Sequence, residues 1–153
     1  WRKNFSYQDS SRYEYWKRIE FTLDQWRSLK KHCEDSGVEF ICSAFSQKAA
    51  KDLLSIGMST FKVASGEVNN YLFLDSLAAN AEHVILSTGM SSIEEIKLAH
   101  DRLKPGVLTS VLQCTTNYPV ELDKVGLNNL VTINEVCKPD FIGLSDHSGK
   151  ITP

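Results

Sequence analysis

Five short, β-prone apolar runs separated by helical stretches constrain this chain more than any other feature of its sequence. They fall at 39–43 (EFICS), 61–65 (FKVAS), 83–87 (HVILS), 108–115 (LTSVLQCT) and 140–145 (DFIGLS). Their apolar character is nearly continuous rather than alternating, the pattern of strands covered on both faces in a parallel sheet. Helical signals fill the gaps. Thr22 with Gln25 forms a capping box before a helix carrying Trp26, Leu29 and Cys33, and Gly37 stops it. Ser46 can cap a helix bearing Ala49, Leu53 and Leu54 that ends at Gly57. A second capping box, Ser92 with Glu95, opens a helix through Ile93, Ile96, Leu98 and Ala99, which Pro105 ends. Weaker helices are expected near 71–79 and 127–137. Strand and helix alternating in this way specify an α/β fold.

Ser43, Ser65 and Ser87 stand 22 residues apart, and each is expected to close a strand, as Ser145 closes the fifth. In a right-handed βαβ succession, equivalent strand ends gather on one rim. Four hydroxyls there, with backbone N–H groups, can converge into a cradle for phosphate or carboxylate. Equally, serine is common wherever strands turn into loops. Five β/α units do not close a barrel, which takes eight units and about 250 residues, and an open doubly wound sheet can be built from five. The unusual polar residues lie at C-terminal strand ends, the rim that carries the chemistry in barrel enzymes. That favours a partial TIM (β/α)8 barrel of about five central units. The segment 1–21, rich in aromatics and charge, reads as a long βα loop entering the third unit.

Composition excludes some functions. A net charge of −2 lacks the basic face that nucleic acid requires. No apolar run approaches the roughly 18 residues of a membrane span, and the aromatic, charged N-terminus has no signal-peptide apolar region. The chain does not begin with Met, so a piece of a longer protein is expected. Cys33, Cys42, Cys114 and Cys137 show no CxxC pairing and no zinc-finger spacing. They read as reduced thiols of a cytoplasmic protein, with Cys42 and Cys114 in apolar strands.

The most informative segment is FKVASGEVNN at 61–70. Lys62 is a cation inside an apolar strand, and leaving it buried without a partner is costly. Glu67 follows Gly66 just past the strand end, where glycine lets the backbone approach a ligand closely. Together they can bind an anion and move a proton, or they can form a structural ion pair. His147, in the polar SDHSG loop after the fifth strand, stands where a metal ligand can stand. A single histidine is also often a surface or hydrogen-bonded residue. Asp146 beside it can help hold an ion or can cap its own turn. His32, His83 and His100 read as structural or solvent-facing.

In order, FKVASGEVNN, STGMSSIEEI (87–96), LQCTTNYP (112–119) and IGLSDHSG (142–149) resemble the successive motifs of the N-acetylneuraminate (sialic acid) synthase family. That family includes pseudaminate, legionaminate and spore-coat polysaccharide relatives, and the resemblance runs from about Tyr7 to the end. It implies a transferase that condenses phosphoenolpyruvate with N-acetylmannosamine or a related acylated hexosamine. A divalent metal, Mn²⁺ or Mg²⁺, serves there as Lewis acid. By resemblance, Lys62 binds phosphoenolpyruvate and Glu67 is the acid/base carboxylate. Ser43, Ser65, Ser87 and Ser145 match hydroxyls that hold phosphate and carboxylate. Tyr118 matches a residue contacting the sugar, and His147 one of two metal-binding histidines. A homodimer is implied for the full-length protein.

There are departures from the pattern. Some members carry His at Gln113, Asn at Thr116, or Thr at Ser43. Nothing in 1–153 corresponds to the family's first two strands, its last strand with the second metal histidine, or its C-terminal antifreeze-like domain. The isolated fragment, corresponding to strands of about three to seven, is therefore expected to lack synthase activity. Two other readings remain: a phosphoenolpyruvate-dependent synthase of 3-deoxy-octulosonates or heptulosonates, and a non-catalytic remnant of the barrel.

Overall fold

In the computed structural model, which describes residues 6–150, each of the five apolar runs contributes one strand. These are β1 (Cys42–Ser43), β2 (Thr60–Val63), β3 (His83–Ser87), β4 (Leu108–Cys114) and β5 (Phe141–Ser145). Every neighbouring pair is parallel and the order is β1-β2-β3-β4-β5. Each strand therefore pairs with the next in sequence, as in an arc of a barrel, without the order reversal of a doubly wound sheet.

The helices are α1 (Arg12–Ile19), α2 (Leu23–Asp35), α3 (Gln47–Ser55), α4 (Tyr71–Asn80), α5 (Ile93–Leu103) and α6 (Asn129–Cys137). Both expected capping boxes form: Gln25 N–H reaches Thr22 Oγ1 at 3.3 Å, and Glu95 N–H reaches Ser92 Oγ at 3.3 Å. Ser46 caps α3 by accepting from Ala49 N–H at 3.1 Å.

The chain divides into two compact units, Trp1–Val38 and Glu39–Pro153. The first holds α1 and α2. Its α1 corrects the expectation of a long loop over 1–21, of which residues 1–5 lie outside the described part. Ser11 accepts from Glu14 N–H at 3.2 Å, so the Ser-x-x-Glu spacing was a helix start. Arg18 pairs with Asp9 at 2.8 Å.

The second unit carries the sheet, and pleating gives its two faces different fates. Phe61, Val63, Val84, Leu86 and Val111 share one face and are fully buried. Val111 packs there with Ile96 of α5 and with Ile133 and Cys137 of α6. The opposite face carries, in register across the five strands, Ser43, Lys62, Ile85, Ser110 and Phe141. On that row Lys62, Ile85 and Ser43 are half-buried, Ser110 is buried and Phe141 is exposed. In a closed barrel this is the inward face. Among the described residues, no helix is long and apolar enough to cross a membrane. All four cysteines are free; Cys114 and Cys137 are buried, whereas Cys42 is half-buried.

Candidate functional site

Lys62 sits in β2, on the face opposite Phe61 and Val63 and beside Ser43 of β1 in register. Among the described residues no carboxylate pairs with it, so the expected alternative of a Lys62–Glu67 ion pair does not form.

Beyond Val63 the chain turns at once into a 3₁₀ turn, Ser65–Glu67. Ser65 thus opens a turn instead of closing the strand, unlike Ser43, Ser87 and Ser145, which end β1, β3 and β5. The turn swings its hydroxyl to 3.4 Å from Ser87 Oγ, where it also accepts from Gly89 N–H at 3.0 Å. Gly89 is required by this approach, since a Cβ would lie 2.9 Å from Ser65 Oγ and 2.7 Å from Thr116 Cγ2. Ser87 is only 2% exposed, so it braces Ser65, which is the more accessible of the two. Ser43 and Ser145 stand on the two edge strands with three strands between them. The four serines therefore do not form one cluster; the pair Ser65 and Ser87 does.

Glu67 is half-buried at the end of the same turn and accepts from Asn70 Nδ2 at 2.7 Å. Asn70 also caps α4, its Oδ1 accepting from Phe73 N–H at 3.4 Å. Its neighbour Asn69 donates to Glu95 Oε1 at 2.9 Å. The two asparagines of GEVNN thus tie the carboxylate to α4 and the turn to the first turn of α5. The N–H of Ser92 and then Asn69 hold the Glu95 carboxyl below its ordinary range.

Across the rim, the loops after β4 and β5 bring Tyr118 and His147 together. The rings stack at 4.1 Å with 25° between planes, and Tyr118 Oη lies 3.2 Å from Nε2. His147 Nδ1 lies 2.9 Å from the Thr115 carbonyl. A carbonyl can only accept, so Nδ1 carries the hydrogen and Nε2 keeps its lone pair. Val120 N–H donates to His147 O at 3.0 Å, a second tie between the loops. Cys114 Sγ is 4.0 Å from Nε2.

Histidine held through one nitrogen by a backbone carbonyl, with the other nitrogen unprotonated, has the arrangement of a metal ligand; here that nitrogen faces the Tyr118 hydroxyl. His147 therefore fits as one donor to a divalent cation. Asp146 does not join it: its carboxylate turns back to accept from Ser148 N–H at 3.0 Å and Ser148 Oγ at 2.8 Å. Those bonds, the backbone one foremost, hold Asp146 below the usual carboxylate range. Among the described residues no group of three His, Cys, Asp or Glu side chains is arranged to hold an ion.

Sequence reasoning named Lys62, Glu67, Ser65, Tyr118 and His147 as candidates but not the residues against which three of them rest: Asn70 beside Glu67, Gly89 beside Ser65 and Thr115 beside His147. For Asn70 a signal existed, because asparagine is a preferred helix N-cap and it follows Glu67 by three residues. For the Thr115 carbonyl none did, since any residue has one.

A model of the NeuB family matches residues 1–152. The chain is 31% identical to N,N'-diacetyllegionaminic acid synthase of Legionella pneumophila, over 97% of this chain and 43% of that protein. It is 34% identical to the N-acetylneuraminate-9-phosphate synthase of Homo sapiens, over 88% of this chain and 38% of that one. Among solved structures, the N-acetylneuraminic acid (sialic acid) synthetase of Leptospira borgpetersenii serovar Hardjo-bovis, in complex with citrate, matches with a TM-score of 0.81 and 30% identity. The match covers 88% of this chain and 47% of that one. The chain thus spans less than half the length of these relatives. With four motifs in order, a parallel arc of five strands and a family model that matches it nearly end to end, the chain belongs to the NeuB family.

Proposed function

We propose that this chain supplies the central β/α units of a barrel enzyme that condenses phosphoenolpyruvate with N-acetylmannosamine or a related acylated hexosamine. The products are a sialic or other nonulosonic acid and phosphate. The observation that carries the reading is Lys62, a half-buried cation with no carboxylate partner among the described residues, on the sheet face opposite Phe61 and Val63 and in register with Ser43. A charge in such a place is stabilised by an anionic ligand.

In this reading Lys62 binds the anionic groups of phosphoenolpyruvate. Ser65, braced from behind by Ser87, and Ser43, beside Lys62, serve its phosphate and carboxylate, while Ser145, on the far edge strand, lies apart from that pair. C3 of phosphoenolpyruvate attacks the aldehyde carbon of the open-chain sugar, and the aldehyde oxygen becomes a hydroxyl. Water then adds to C2; one of its protons balances the one taken up by the new hydroxyl, and the other leaves with the phosphate as the C2–O(P) bond breaks to give the ketone. Glu67, oriented by Asn70, takes a proton from the water. Tyr118 contacts the sugar. His147 offers Nε2 to a divalent cation, Mn²⁺ or Mg²⁺, which when bound supplies Lewis-acid polarisation of the aldehyde. The full-length protein works as a homodimer in the cytoplasm.

The test is phosphate release from phosphoenolpyruvate by the full-length protein. It is assayed with a panel of N-acylated hexosamines and, in parallel, with arabinose 5-phosphate and erythrose 4-phosphate. Release that depends on an acylated hexosamine is expected. Release only with the other two sugars favours the octulosonate or heptulosonate reading, and none with any acceptor favours the non-catalytic one.

A further inference from the structure

His147 is aimed by a carbonyl, and that carbonyl is itself held in place by a side chain to which no role attaches so far. Gln113 lies on β4, shares the helix-facing side with Val111, and is only 5% exposed. Its Nε2 donates to the Val125 carbonyl at 3.2 Å and lies 3.5 Å from Thr115 Oγ1. Thr115 Oγ1 in turn lies 3.1 Å from the Lys124 carbonyl and 3.2 Å from that of Val125. Because carbonyls only accept, the hydroxyl hydrogen points to them and the hydroxyl lone pairs are left for the Gln113 amide. The result is a closed staple between the end of β4 and the segment 122–126.

Gly126 leaves room for it. Its φ is +76°, and a Cβ there would lie 2.8 Å from Gln113 Nε2, so both its conformation and its lack of a side chain are required. Beyond the staple, the Thr115 carbonyl accepts from Asn117 N–H at 2.9 Å and from His147 Nδ1 at 2.9 Å. An amide buried on the helix side of the sheet thereby sets the direction of an acceptor on the rim.

We propose that Gln113 is a positioning residue for His147. By stapling Thr115 to the segment 122–126, it fixes the Thr115 carbonyl, which holds His147 in the Nδ1–H tautomer with Nε2 unprotonated. The proposal rests on the reading of His147 as a cation ligand only for its consequence, not for its geometry. Without the staple Thr115 is free to turn, the ring loses its one carbonyl acceptor, and Nε2 no longer presents a single lone pair.

The experiment uses the full-length protein carrying Gln113→Glu, which keeps the shape of the side chain but replaces its N–H donor, and Gln113→His, whose ring N–H can restore donation. Long-range ¹H–¹⁵N spectra of ¹⁵N-histidine-labelled protein report the tautomer of His147 directly. The resonance is assigned by its loss in His147→Ala. Mn²⁺ affinity is followed through the electron paramagnetic resonance signal of the free ion. The expected result is a single Nδ1–H tautomer in the wild type and a mixture in Gln113→Glu. Mn²⁺ affinity should be weaker by about tenfold in Gln113→Glu, the size of an outer-shell loss, and both readouts should be largely recovered in Gln113→His. An unchanged tautomer in a folded Gln113→Glu protein overturns the proposal. If Gln113→Glu does not fold, Thr115→Val decides, since it removes the hydroxyl from the staple but keeps the carbonyl; an unchanged tautomer there also overturns it. Failure of the cation-ligand reading looks different: His147→Ala leaves Mn²⁺ affinity untouched while the tautomer still responds to Gln113.

Discussion

A fully buried histidine far from the rim sets a pH condition on this fold. His100 of α5 has no exposed surface, and its Nε2 lies 3.2 Å from Thr109 Oγ1. The Thr109 hydroxyl donates to Asp140 Oδ2 at 3.0 Å, so Nε2 carries the ring hydrogen and Nδ1 is bare. Among the described residues Nδ1 has no hydrogen-bond partner, and Asp101 Oδ1 lies 3.9 Å away. Burial foremost, then the Lys104 charge, holds the imidazole below its ordinary value of 6.5. The unfolded chain therefore binds a proton that the folded one refuses, and stability is lost as pH falls through about 6.5 toward the folded value. We expect the thermal midpoint to drop between pH 7 and pH 5, and the drop to shrink in His100→Gln; equal slopes in the two proteins count against this. In the sequence His100 reads as structural or solvent-facing, and the fold makes it structural, with no exposed surface. The partnership with Thr109 and Asp140 was not legible, because it joins three segments that only the fold brings together. The same division holds at the rim, where Lys62 stood out as a cation in an apolar run but Asn70 and Thr115 did not.

Among the elements, those with chemical punctuation were the ones the sequence disclosed. The Thr22 and Ser92 capping boxes and the Ser46 cap start helices where expected, because each satisfies backbone donors locally. Ser92→Ala is expected to cost about 1 kcal/mol of stability by urea denaturation, the usual worth of such a cap. The helix α1 is hard to see in the sequence although Ser11 and Glu14 carry the same punctuation, because its aromatic and charged residues form no clear apolar stripe. Strand β1 proved shorter than its apolar run: it pairs only at Cys42 and Ser43, and Glu39 is tied instead through its side chain to Thr60 Oγ1 at 2.6 Å. Close approach between elements also left no trace in the pattern. A Cβ on Gly106, in the turn between α5 and β4, would fall 2.0 Å from the Ala78 carbonyl of α4. Gly106→Ala is therefore expected to destabilise by roughly 1–3 kcal/mol, the range of an overpacked contact, and a urea midpoint equal to wild type would refute the close approach.

At the scale of the whole molecule, the two faces of one sheet divide the labour. Helices bury Phe61, Val63, Val84, Leu86 and Val111 on one side, and the other side holds the row from Ser43 through Lys62 to Phe141. The near-continuous apolar runs announced a sheet covered on both faces, and the half-exposed row is what such a face looks like when only five strands of an arc are present. The family was legible because four motifs occur in order. The pairing of Ser65 with Ser87 was not, since the 22-residue spacing implied four equivalent strand ends where the chain makes three and a 3₁₀ turn. In the proposed function phosphoenolpyruvate completes the ammonium of Lys62, which no carboxylate among the described residues pairs with. This is tested most directly by steady-state saturation with phosphoenolpyruvate of full-length wild type and Lys62→Ala, with circular dichroism confirming equal folding. KM for phosphoenolpyruvate is expected to rise at least about tenfold, the loss of one charge-assisted contact; an unchanged KM in the folded variant contradicts this role of Lys62.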